Sequence, residues 1–154
     1  MNKVIFLLIY LLFSVQSFAL TPYKGSYELY AKTAMGNLKI GTAILTLEVN
    51  NNQFEFTTEA KTESLWKALY DYSRNEKSIG NEIDGQVINT YFSVLEKNKE
   101  ELKKNYEITI ETDKNYAVSS SGEEFKINPG VLVDSLSVYL ALSNDMINKP
   151  NQPE

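Results

Sequence analysis

A chain of 154 residues is long enough for one domain with a real core and too short for two comfortable ones. It has neither Cys nor His, which excludes a Ser-His-Asp relay, an imidazole or thiolate metal site, haem attachment and disulfides. Its net charge of −5, with 20 acidic residues against 15 basic ones of which Arg74 is the single arginine, argues against nucleic acid as a partner, because phosphate binding needs clustered cations.

Met1 to Leu20 reads as a secretory signal peptide. Lys3 supplies the positive start, Val4 to Val15 is a nearly unbroken apolar run, and Ser17-Phe18-Ala19 has the small-x-small cleavage pattern, so residues 1–19 are assigned to a leader cut after Ala19. The run is broken at Ser14, Gln16 and Ser17, short of the roughly 20 apolar residues that span a bilayer, so no stable membrane anchor is expected after cleavage. With no Cys, lipid attachment of the bacterial lipoprotein kind is excluded. The mature chain loses Lys3 and is expected to be soluble in the periplasm or outside the cell, the periplasm being the assigned place.

From Tyr23 the pattern turns to period two. Tyr27, Leu29 and Ala31 share one face, Met35-Gly36-Asn37 marks a turn, and Leu38 to Val49 is a long apolar strand in which Gly41 allows a bend or bulge. Asn50-Asn51-Asn52 turns the chain into the cleanest alternation it has, with Phe54, Phe56, Thr58 and Ala60 on one side and Gln53, Glu55, Thr57, Glu59 and Lys61 on the other. Thr62 to Leu69 breaks that alternation: Leu65, Trp66 and Leu69 have the spacing of one or two helical turns. Tyr70 to Ser78 is extended again, Gly80 and Asp84-Gly85 are turn signals, and Gln86 to Glu96 is the next strand. A charged hairpin end over Lys97 to Lys104 leads to a strand over Asn105 to Thr112, with Tyr106, Ile108 and Ile110 inward. Short strands over Tyr116 to Ser120 and Phe125 to Ile127 close the series.

Leu132 to Ile147 is the one long stretch with a helical period. On a 3.6-residue wheel Leu132, Val133, Leu136, Tyr139, Leu140, Met146 and Ile147 fall on one side, with Ser137, Ala141, Asn144 and Asp145 opposite. Asp134 is the expected N-cap. Strands in a run followed by a helix predict an α+β, mostly β fold: a curved antiparallel sheet, a half-barrel-like meander, with one C-terminal helix packed against it and a short helical insertion. One β-rich domain over residues 20–147 is expected, with 148–154 as a disordered tail.

Several of these stretches resemble the DUF3108 family of exported bacterial proteins of uncharacterised function. The likeness rests on the leader and the Tyr-rich first strand, on Gly36-Asn37-Leu38-Lys39-Ile40-Gly41, on the insertion Ser64-Leu65-Trp66-Lys67-Ala68-Leu69-Tyr70, and on Asp134 to Leu142. It covers most of Tyr23 to Ser143. Ser143 stands where the family favours a basic residue, and the Pro common after the insertion is missing around Val87 to Tyr91. The resemblance implies export and this architecture, and no reaction. It also implies further strands beyond the helix, so a chain stopping at Glu154 is expected to leave an unpaired strand edge and to expose Val138 and Leu142.

The candidate ligand-binding residues are Trp66, Tyr70, Tyr72 and Arg74. Trp66 is either an aromatic lip over a cavity suited to an acyl chain or a plug at the end of the core. Arg74 shares a face with Tyr70, Tyr72, Glu76 and Ser78, and its planar fork suits a carboxylate or phosphate, or else it pairs at the surface with Glu76 or a neighbour. Glu55 with Glu59, and Glu107 with Glu111, lie about 13 Å apart along a strand, too far for a glycosidase pair. No catalytic residue, cofactor or metal ligand is assigned. The expectation is a non-catalytic periplasmic binder of an apolar or amphipathic envelope component, a lipid or another amphipathic ligand. The alternative is an envelope assembly or scaffold protein that pairs its sheet with a protein partner. A carboxylate-dependent hydrolase ranks last.

Overall fold

Eight strands form an open, curved antiparallel sheet in plain sequence order, each strand beside its chain neighbours. The computed structural model describes residues 20–34, 36–127 and 133–148. The strands are β1 (Tyr23–Thr33), β2 (Gly36–Asn50), β3 (Gln53–Thr62), β4 (Tyr72–Ile83), β5 (Gln86–Asn98), β6 (Glu101–Glu111), β7 (Tyr116–Ser119) and β8 (Glu124–Lys126). A short helix α1 (Ser64–Leu69) interrupts the meander between β3 and β4, and α2 (Val138–Asn148) follows the sheet. The mostly β, α+β architecture expected from the pattern is therefore present. Residues 1–19, expected to form a leader, Leu132 and residues 149–154 lie outside the described residues, while Asn148, placed in the expected tail, is helical.

Tight hairpins set the register. Asn51, Asp84, Lys99 and Asn115 all adopt left-handed backbone angles at the turns, with φ near 55°; Asn and Asp tolerate this region best. Of the three register shifts in the sheet among the described residues, two decide which side chains share the core face. Beside Gly41 the pairing of β1 with β2 slips by one residue, and at Gly80 the pairing of β4 with β5 does the same, skipping Thr90. A Cβ at Gly41 would run into the Lys61 carbonyl, and one at Gly80 into the Ile88 carbonyl and the Phe54 ring. Gly80 is thus a strand residue at a bulge, not the turn its type predicts. Because Thr90 is skipped, β5 buries Val87 and Asn89 before it and Phe92 and Val94 after it on the same face.

The core lies between that face and the start of α2. Leu47, Phe54, Phe56, Val87, Phe92 and Val94 come from the sheet, and Leu136 and Leu140 from the helical segment, with Leu20, Leu45, Val49 and Ala141 packed at its margin. Asp134 caps the segment as expected: its Oδ1 accepts from the amides of Leu136 at 2.7 Å and Ser137 at 2.8 Å, and Ser137 Oγ accepts in return from the Asp134 amide at 3.0 Å. Its other oxygen reaches down to the sheet, where it accepts from Ser78 Oγ at 2.7 Å and from Asn89 Nδ2. Residues 135–137 form turns, and the regular helix begins only at Val138.

This anchorage corrects the expected helix face. Ser137 and Asn144, placed outward by the wheel, are buried, whereas Tyr139 is 66% and Met146 76% exposed. A wheel that counts only apolar residues sends polar ones to water. Here Ser137 is consumed by the cap and Asn144 Nδ2 donates to the Gly85 carbonyl, so both are satisfied inside and the helix turns its Leu136, Leu140 and Asn144 side to the sheet. Leu142 is exposed as expected; Val138 is half-buried.

Candidate groove on the helix-covered face

The helical segment covers only part of its face of the sheet. Along β3 and β4 the inward residues run from Phe54, Phe56 and Thr58 to Ala60, and from Gly80 and Ser78 to Glu76 and Arg74, paired across the strands. The Phe54 and Ser78 end lies under Asp134 and Leu136. Beyond it a groove of about 550 Å³ opens, lined by Leu45, Phe56, Thr58, Arg74, Glu76, Ser135, Leu136 and Tyr139. That volume falls within the usual range for small-molecule sites. One end of the lining is apolar, from Leu45, Phe56, Leu136 and the Tyr139 ring. The other is charged.

Arg74 organises the charged end. Its Nη2 donates to Glu76 Oε1 at 2.7 Å and its Nη1 to Glu96 Oε2 at 2.5 Å. The expected pairing with Glu76 is present, but the three side chains are only 26%, 16% and 16% exposed, so this is a partly desolvated cluster and not a pair at the surface. Glu96 also has Lys104 Nζ at 3.7 Å, and Glu76 accepts from Thr58 Oγ1 at 3.3 Å. The Glu76 hydrogen bond, followed by the remaining attraction of both carboxylates, holds the Arg74 guanidinium further above its ordinary range. Tyr72, next along the face, has its phenol raised above the usual value by burial first and by the Glu96 charge second.

The four expected site residues divide between two places. Arg74 lines the groove and Tyr72 neighbours it. Tyr70 stacks on Tyr72 with ring centres 5.8 Å apart and planes 8° from parallel, but is itself 49% exposed. Trp66 lies on α1, which packs by β2, and is half-buried; it is not part of the groove lining. Its helical neighbours Leu65 and Leu69 are 84% and 71% exposed.

Leu45, Phe56, Thr58, Glu76, Ser135, Leu136 and Tyr139, which complete the lining, and Glu96 and Lys104 behind it, were not singled out as site residues by the sequence. Glu96 is the instructive case. Counting back from the Asp84-Gly85 turn without a bulge puts Leu95 opposite Arg74, and only the extra residue at Thr90 brings Glu96 there. The signal was the switch in spacing of apolar residues, from Val87 to Phe92 and Val94.

The opposite face of the sheet has a smaller depression of about 340 Å³ that includes Thr57, Glu59, Asn75, Lys77, Asn105 and Glu107. Among the described residues no group of three or more acidic side chains is arranged to hold a metal ion. No family model, curated protein or solved structure matches the chain.

Proposed function

We propose that this is an exported, periplasmic, non-catalytic protein that binds an amphipathic envelope component, lipid above all, in the groove between α2 and the Arg74 cluster. The observation that carries the reading is the incomplete cover of the sheet face, which leaves Leu45, Phe56, Leu136 and Tyr139 lining an open groove of about 550 Å³ beside a charged end. Export is supported by Lys3, the apolar run after it and Ser17-Phe18-Ala19. Membership of the DUF3108 family stays part of this proposal, resting on the short motifs alone. Among the described residues no helix is long and apolar enough to cross a membrane.

The charge arrangement narrows the ligand. Arg74 already donates to two carboxylates, so an anionic head that took it over would leave Glu76 or Glu96 without its counter-charge in a poorly solvated place. A neutral or zwitterionic head with hydroxyl or amide groups fits the groove better than the free carboxylate or phosphate that Arg74 suits in isolation. The chain lies against the apolar lining and the head toward Thr58, Glu76 and Tyr72.

A fluorescent apolar probe displaced by lipids of different head groups tests the proposal. Ser135 is exposed on the groove lining, and Ser135→Trp should fill the groove and abolish probe binding while the unfolding transition stays in place. Probe binding unaltered by Ser135→Trp, or an anionic lipid preferred over a zwitterionic one, would count against it.

The alternative, a scaffold that recruits a partner strand, draws on the outer edge of β1, 11 residues long and unpaired among the described residues. That edge carries Lys24, Glu28 and Lys32 and a bulge after Leu29, both devices that discourage strand addition. The groove is therefore the preferred site.

A further inference from the structure

Ahead of β1, the backbone N–H of Leu20 donates to Glu82 Oε2 at 2.9 Å, across 62 residues of chain, and the Leu20 side chain packs on the core. Leu20 is also the residue that cleavage after Ala19 would make the N-terminus. We propose that the Glu82 carboxylate is a docking site for the N-terminus created by leader removal, an inference that rests on the export reading above. A signal peptidase hydrolyses the Ala19–Leu20 bond with one water, leaving a carboxylate on Ala19 and an α-ammonium on Leu20. The nitrogen that donated as an amide then carries a full positive charge at the same carboxylate. A charge-assisted hydrogen bond becomes an ion pair, and the core-packing Leu20 is fixed at the end of the chain.

The surroundings favour that charge. The Glu82 amide donates to the Asn52 carbonyl at 2.7 Å, which brings the β2–β3 turn to this end, and Asn144 on the Gly85 carbonyl brings α2. The titratable groups within four residues of these contacts are Tyr23 and Lys24 on β1, Glu48 and Glu55 beside the β2–β3 turn, Glu82 and Asp84 on the β4–β5 hairpin and Asp145 on α2, so that Lys24 is the one base among five acids. Before cleavage the site receives a neutral amide; afterwards it receives the one new cation that processing makes.

The experiment is an NMR titration of the α-amino group in three chains: one beginning at Leu20, one keeping Ala19, and the Leu20 chain with Glu82→Gln. In the first the group should titrate about one unit or more above the ordinary range of about 7.7 to 8.0 for a free N-terminus. In the Ala19 chain and in Glu82→Gln it should return to that range. An ordinary value in the Leu20 chain, or a raised one that Glu82→Gln leaves unchanged, would overturn the proposal. If Glu82→Gln does not fold, the comparison of the two starts decides alone. The intact mass of the protein exported by its native host tests the export reading separately: a start other than Leu20 refutes the cleavage position, and with it the docking proposal in the cell, while the titration still reports whether Glu82 holds an ammonium.

Discussion

Replacing Asp134 by Ala should be among the most damaging single changes to this fold. One oxygen of Asp134 caps the helical segment through the Leu136 and Ser137 amides, and the other receives the Ser78 hydroxyl and the Asn89 amide, both wholly buried. Loss of an N-cap costs about 1 kcal/mol. Each buried donor left without its charged acceptor adds about 1.5 kcal/mol. The total is about 4 kcal/mol, a large part of the roughly 5 to 15 kcal/mol that holds a domain folded. Urea unfolding followed by circular dichroism should show the midpoint falling accordingly, and thermal unfolding should drop by roughly 15 °C. Asp134→Asn keeps a cap acceptor and should lose less than half as much. Ser78→Ala should cost less in the Asp134→Ala background than in the wild type, because the charged acceptor of its hydroxyl is already gone and only the bond it accepts from Asn89 Nδ2 at 2.9 Å remains to lose. A loss below about 1 kcal/mol for Asp134→Ala, or additivity with Ser78→Ala, would refute the account of how the helix is held.

Arg74→Met should cost about 2 kcal/mol by stranding two poorly solvated carboxylates, and adding Glu76→Gln should restore part of it, as read from denaturant midpoints. Trp66→Ala should cost only about 1 to 2 kcal/mol, well below the value for a core aromatic, with native emission between the buried and solvent-exposed limits. The Tyr72 phenol is raised in the folded state, so its contribution to stability is complete below the unfolded value of about 10 and is lost as pH rises from there through the higher folded value; Tyr72→Phe should flatten the fall in stability in that window.

The strand series, the helical insertion, the capping role of Asp134 and the bulge-permitting Gly41 were legible because each depends on local chemistry: alternation, turn residues, a side-chain acceptor at a helix start. The helix face was not, because it is set by Ser78, Asn89 and Gly85, which reach Asp134 and Asn144 only across 45 to 59 residues of chain. The site was half legible for the same reason. Arg74 stands out as the single guanidinium, but its second partner Glu96 depends on the bulge at Thr90, and Tyr139 reaches the groove from another element altogether. Trp66 drew attention by its size and by interrupting the strands, features that carry no information about which face of the sheet α1 sits beside.

Native mass spectrometry of the protein purified from its own host's envelope fraction, with solvent extraction of what it carries, tests the binding proposal most directly. The account predicts one molecule of a neutral or zwitterionic amphiphile per chain, absent from Ser135→Trp purified in parallel. A wild-type chain that arrives bare and takes up no lipid when offered vesicles, or one whose bound lipid survives Ser135→Trp unchanged, would contradict it.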